Sequence, residues 1–129
     1  TDKDSLDQFF RQMTPDIGTH DMTKELDALS ALFKRVGKGI LVTHSAGGFP
    51  GWLTAIRSPE VRGIISLEPG TYVFPEGEVP VNRHGGHAAL VELPKIGIRG
   101  NTHFLMSDKN NNIIADHMAA WLRQNKLDR

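Results

Sequence analysis

The sequence predicts an α/β layered fold built on a parallel sheet, and three observations carry that prediction. Short runs of branched apolar residues without polar alternation recur at "GILVT", "RGIISLEPG" and "HAALVELP", as expected of strands covered on both faces. Each run ends in or beside turn residues. Segments with apolar residues at helical spacing alternate with them, which is the signature of helices layered on a parallel sheet. At 129 residues the chain has the size of one domain with one hydrophobic core.

Taken in order, Leu6, Phe9, Phe10 and Met13 recur at helical spacing before Thr14-Pro15 and Gly18, predicting an amphipathic helix over about residues 4–13. Leu26, Leu29, Leu32, Phe33 and Val36 share a second helical face, with Asp21 or Thr23 available to cap its start and Gly37 to end it. "GILVT" follows as the first strand. Pro50 in "GFPGWLTAIR" suits the first turn of a helix, where its missing N–H is no loss, and Pro59 closes that helix. "RGIISLEPG" and "HAALVELP" are the second and third strands. In "DKNNNIIADHMAAWLRQNKL", Asp108 or an asparagine of 110–112 can cap a last helix that buries Ile114, Met118, Trp121 and Leu122. No internal repeat is present.

Fifteen basic and fifteen acidic residues cancel, so no electrostatic footprint argues for nucleic acid or an anionic membrane surface, and neither partner is expected. With no cysteine there is neither a disulfide framework nor a thiolate metal site, and the redox compartment cannot be read. The opening "TDKDSLDQFF" lacks the apolar core of a secretory signal, and no stretch approaches the roughly 18 apolar residues of a membrane span. Localisation stays open between secreted and cytoplasmic.

"ILVTHSAGGFPGW" sets a serine among small residues where a strand hands over to a helix. A serine hydroxyl becomes a useful nucleophile only when an imidazole takes its proton, and the imidazole needs an acid to hold its tautomer and stabilise its charge. The meeting place in a parallel sheet is the edge formed by the carboxyl ends of the strands. Ser45 follows "GILVTH", Glu68 follows "GIISL", and His103 follows "GIRGNT" after the third strand, so all three belong to that edge.

The order serine, acid, histidine is that of the α/β-hydrolases. "THSAGG" resembles the nucleophile elbow of α/β-hydrolase-fold serine esterases, with Thr43 where the first glycine of G-x-S-x-G usually stands. "RQMTPDIGT", "SAGGFPGWLTAIRSPEVRGIISLEPG" and "GIRGNTHFLMSDKNN" together resemble one group of microbial esterases in that superfamily. The resemblance implies Glu68 as the triad acid, His103 as the base, the Ala46 N–H as one oxyanion donor, and no cofactor or metal.

The resemblance covers only the back half of such an enzyme, so the expectation is a single partial α/β-hydrolase domain over residues 1–129. Nothing before residue 40 supplies the four strands that normally precede the elbow strand, nor the loop that gives the second oxyanion donor. The passage from "FPEGEVP" at Pro80 to "VNRHGG" at Val81 also lacks the strand and helix that family members place there. An omitted segment at that junction, another chain completing the sheet, or a repacking of the fragment is expected.

Each assignment has a plainer rival. Ser45 could be a small residue in a crowded turn, Glu68 a strand-end carboxylate facing water, and His103 an idle loop histidine; their joint order and placement favour the triad. Asp108 is the rival acid, read instead as the cap of the last helix. His44 is read as packing under the elbow, because adjacent strand side chains point to opposite faces. His84 and His87 in "HGGH" are too few for a zinc site and read as a turn. His20 and His117 read as loop and helix-surface residues, Trp52 and Trp121 as core, and Phe104 as a candidate wall of an acyl pocket. The expected activity is carboxylic ester hydrolysis through an acyl-enzyme, with a small-molecule ester as substrate. The alternatives are a catalytically silent fragment or interaction module, or a thioesterase, amidase, lipase or lactonase using the same triad.

Overall fold

The computed structural model describes residues 2–13, 18–71, 73, 89 and 91–128. Its elements are α1 (Lys3–Arg11), α2 (Met22–Val36), β1 (Gly39–His44), a 3-10 turn (Ser45–Gly47), α3 (Gly48–Arg57), β2 (Val61–Leu67), 3-10 turns at Leu93–Ile96 and Leu105–Ser107, and α4 (Asn111–Gln124). This is a mixed α/β arrangement around a two-stranded parallel sheet.

Both early helices begin at the aspartates that chemistry favours. The Asp2 side chain accepts from the Ser5 N–H at the start of α1, and Asp21 accepts from Thr23 and Lys24 at the start of α2. Of the two cap candidates for α2, Asp21 therefore does the work. Its carboxyl is held below the ordinary value chiefly by the Lys24 main-chain N–H. α2 ends at Gly37, whose φ of 88° lies in the region that favours glycine.

The apolar faces are less completely covered than their periodicity predicts. On α1 no residue is buried, and Phe9 and Phe10 are each 55% exposed, their rings meeting edge to face at 5.7 Å. On α2 only Phe33 is buried, while Leu32 and Val36 stay exposed. Helical spacing selects a stripe; whether the stripe is buried depends on what lies opposite it.

β1 and β2 pair in parallel from Ile40↔Gly63 through His44↔Leu67, with an irregularity next to Gly39↔Val61. α3 makes the crossover that a parallel pair requires. It fits closely because Gly51 and Gly48 carry no side chain. A Cβ on Gly51 would lie 2.4 Å from Thr43 Cγ2, and one on Gly48 would lie 2.5 Å from Pro69 Cβ. Thr43 is itself held, its hydroxyl donating to Ser66 across the strand pair at 3.1 Å. Thr54 is fully buried and donates to the Pro50 carbonyl, while Ser58 donates to Ser30 on α2. The C-terminal end of α4 reaches β2, where Leu127 and Trp121 approach Gly63 and the Lys126 carbonyl accepts from Arg62.

Three expectations change. The sheet has two strands among the described residues. His87, Ala88 and Leu90 of "HAALVELP" lie outside the described residues, and the described remainder is no strand, Leu93–Ile96 turning in a 3-10 helix with Pro94 in its first turn. Val42 is 53% exposed, so β1 is not covered on both faces at its centre. Of the predicted buried face of α4, Ile114 is buried and Met118, Trp121 and Leu122 are half-buried. Residues 80 and 81, His84 and His87 lie outside the described residues. Among the described residues no helix is long and apolar enough to cross a membrane.

Replacing Gly51 by alanine tests the α3–β1 contact. Helix propensity alone would favour alanine by about 1 kcal/mol, but Thr43 cannot withdraw without losing Ser66. A net destabilisation of about 1–3 kcal/mol is expected from the overpacking, read as a lowered denaturation midpoint; a stabilised variant would contradict this contact.

Candidate active site

The carboxyl end of the strand pair carries two residues in an unusual conformation. The register His44↔Leu67 places Ser45 and Glu68 next to each other in order, each one residue beyond its strand. Both have positive φ, 52° at Ser45 and 42° at Glu68. Such a conformation costs a residue with a side chain about 1–3 kcal/mol and persists only where the surroundings enforce it. At Ser45 they do. Its carbonyl accepts the N–H groups of Gly48, at the start of α3, and of Gly70, beyond β2, the latter at 3.0 Å. The corner is thereby closed from both sides.

Reversal of the backbone at Ser45 turns its hydroxyl toward the segment before α4. His103 Nε2 lies 2.8 Å from Ser45 Oγ. This distance joins residues 58 apart in the chain and is a full hydrogen bond. With Oγ–H as donor, Nε2 accepts, which is the geometry of a hydroxyl about to lose its proton to an imidazole.

The His103 segment is held by a polar cluster. Asp108 accepts from the Thr102 N–H at 2.7 Å, from the Thr102 hydroxyl at 2.9 Å and from the Asn101 amide at 3.1 Å. Asn101 and Asn110 exchange amide hydrogen bonds, and the Phe104 N–H donates to Thr102 Oγ1. The Thr102 main-chain N–H is the main reason that the Asp108 carboxyl sits below its ordinary 3.8.

This corrects the expectation for Asp108. Asn110 is the N-cap residue of α4 and makes no side-chain cap bond. The Asp108 carboxylate points back into the preceding loop, because two donors of Thr102 converge there. Among the described residues the Asp108 side chain bonds neither His103 nor a helix N–H group; only its main-chain carbonyl accepts from α4, taking the Asn111 N–H at 3.1 Å.

His44 is also corrected. Its Nε2 lies 2.7 Å from the His103 carbonyl, and the two rings stand 4.6 Å apart. Alternation along the strand would send His44 and Ser45 to opposite faces. Positive φ at Ser45 breaks that alternation, so both neighbours reach the same loop.

Glu68 is exposed, and among the described residues it makes no hydrogen bond or ion pair with His103. Of the predicted triad, Ser45 and His103 are thus brought together, and Glu68 stands at the same edge without touching the imidazole. Ala46 occupies the first position after Ser45 in the 3-10 turn. Phe104 is 60% exposed with its ring 5.4 Å from those of both histidines. His20 bonds Glu25 at 2.7 Å, and His117 is exposed on α4. Among the described residues no cluster of histidine and acidic side chains could hold a metal ion. A cavity of about 180 Å³ lies away from Ser45, lined by residues that include Asp27, Ser30, Lys34 and Arg57.

No protein-family model and no curated protein matches this chain. Sequence reasoning missed the Thr102–Asp108 tie and the role of His44. A threonine before the histidine and an aspartate six residues on were visible as types that bond nearby main chain; the backward direction of that aspartate was not.

The Asp108 tie has a pH consequence with a definite sign. Its folded pKa is depressed, so its contribution is complete above the ordinary carboxylate value and is lost as pH falls through the lower folded value. In amide exchange the Thr102 N–H is expected to stay protected as pH falls to the ordinary carboxylate value of 3.8, to lose protection only in more acid solution, and to be unprotected in Asp108→Ala. Helicity by far-UV circular dichroism should be kept in Asp108→Ala. Loss of α4 with Thr102 unchanged would restore Asp108 as the helix cap.

Proposed function

We propose that this chain carries the catalytic centre of a serine hydrolase that cleaves carboxylic esters, in an α/β-hydrolase-like arrangement. The observation that supports this reading most is the 2.8 Å contact between Ser45 Oγ and His103 Nε2, made by a serine with φ of 52° at a strand-to-helix corner. A strained corner of this kind lifts the hydroxyl clear of the sheet edge. The sequence resemblance of "THSAGG", "ISLEPG" and "GNTHF" to serine esterases supports it independently.

In this mechanism Ser45 Oγ attacks the ester carbonyl as its proton passes to His103 Nε2, forming a tetrahedral oxyanion. The Ala46 N–H donates one hydrogen bond to that oxyanion. Collapse breaks the bond to the alcohol, which leaves with the proton held by His103. Water then attacks the acyl-Ser45 ester, giving its proton to His103, and the acid product departs as the proton returns to Oγ. Glu68 is assigned as the acid on its place beside Ser45 at the same edge and on the sequence resemblance; in this role its carboxylate orients the His103 ring and stabilises the imidazolium. No cofactor or metal takes part.

A second reading, a catalytically silent hydrolase fragment or interaction module, draws on the exposure of His103 and on the missing bond between Glu68 and the imidazole. Covalent labelling separates the two, because a silent module takes up no organophosphonate. For the esterase, Ser45→Ala is expected to abolish both labelling and hydrolysis of p-nitrophenyl acetate. Unchanged hydrolysis in that variant ends the reading. Glu68→Gln should lower kcat by about 10⁴-fold, and turnover like that of the wild type would remove Glu68 from the mechanism.

A further inference from the structure

Resting on the reading of Ser45 as nucleophile and His103 as base, we propose that His44 is a positioning residue: its imidazole, as the Nε2–H tautomer, donates to the main-chain carbonyl of His103 and keeps the base in register with the serine through both halves of the reaction. The chemistry of the partner decides the direction of the bond. A carbonyl oxygen only accepts, so the His44 Nε2 lying 2.7 Å away must carry a proton.

Two observations give the bond its weight. The first is where it lies. Among the described residues, two side-chain hydrogen bonds join the 101–104 segment to the sheet, the one from Ser45 to the His103 ring and the one from His44 to the His103 main chain. The cluster around Asp108 ties the same segment to the start of α4 instead. His44 is the last residue of β1 and is paired with Leu67, so its anchor belongs to the most regular part of the molecule. The second is its packing. The His44 ring lies 4.6 Å from that of His103 and 5.4 Å from that of Phe104, so it supports the loop by contact as well as by the hydrogen bond.

The consequence differs between the two chemical steps. In the free enzyme both bonds hold His103 to the sheet. Once Ser45 is acylated its oxygen has no hydrogen to donate, and the Ser45 tie is gone while His103 still has to activate water. Among the described side-chain hydrogen bonds, that from His44 then remains to join the base to the strand. Misplacing a catalytic group by about 1 Å costs on the order of 100-fold in rate, and that loss falls on deacylation.

Rapid mixing of wild type and variants with p-nitrophenyl acetate, followed by intact mass of the quenched protein, tests this. His44→Phe keeps a ring and removes the donor; it is expected to retain the release of the first equivalent of p-nitrophenol, to slow the steady state by about 10- to 100-fold, and to accumulate acyl-enzyme. His44→Gln presents an N–H at a similar distance from Cβ and should recover most of the steady-state rate. A His44→Phe variant that turns over like the wild type without accumulating adduct overturns the proposal. If the wild type itself gives neither first-equivalent release nor adduct, the hydrolase reading has failed, a result distinct from the preceding one. Long-range ¹H–¹⁵N spectra of the wild type test the bond without any variant: a protonated Nε2 on His44 is expected, and an unprotonated Nε2 would overturn it.

Discussion

Holding Ser45 at a φ of 52° is the constraint on which the rest of the site depends. The conformation is costly for a residue with a side chain, so neighbouring groups must fill and bond the space on both sides of it. The Ser45 carbonyl does this by accepting from Gly48 and Gly70, which binds the corner to the start of α3 and to the exit of β2. Close approach of Gly48 to Pro69 and of Gly51 to Thr43 leaves the helix no room to relax the turn. A strained corner is thus converted into a fixed direction for one hydroxyl.

That direction organises the polar groups around it. Ser45 meets the ring of His103, and His44 meets its main chain, although the two are sequence neighbours on a strand. On the far side Asp108, Asn101 and Asn110 bind the loop through groups that are partly screened by water. His103 is therefore held by a short, direct pair of contacts from Ser45 and His44 and by a looser polar cluster near the last helix. Glu68 shares the edge and the positive φ of Ser45, and the parallel register keeps it beside the serine whichever rotamer it adopts.

Much of this was legible in the residues themselves. Local chemistry settles the helices, since Asp2 and Asp21 cap where an aspartate before a periodic run should, and Gly37 ends α2 where a left-handed residue is needed. Branched apolar runs bounded by turns mark β1 and β2, and Ser45 and Glu68 directly after them mark a common edge; the third strand expected before His103 is not found among the described residues. These are properties of short stretches, which is why sequence spacing reports them.

Tertiary structure alone decided the rest, because it depends on what lies opposite a residue in space. The Phe9 and Phe10 stripe of α1 is as periodic as the core face of a buried helix, yet nothing in a periodic pattern says whether a partner covers it. Asp108 had two plausible sets of N–H donors, one ahead of it and one behind, and the loop geometry chose Thr102. His44 was assigned to the wrong face by strand alternation, a rule that ends where φ changes sign. The amino-acid sequence by itself determined which side chains are available for proton transfer; which of them meet was set by the parallel register and by one strained residue at its end.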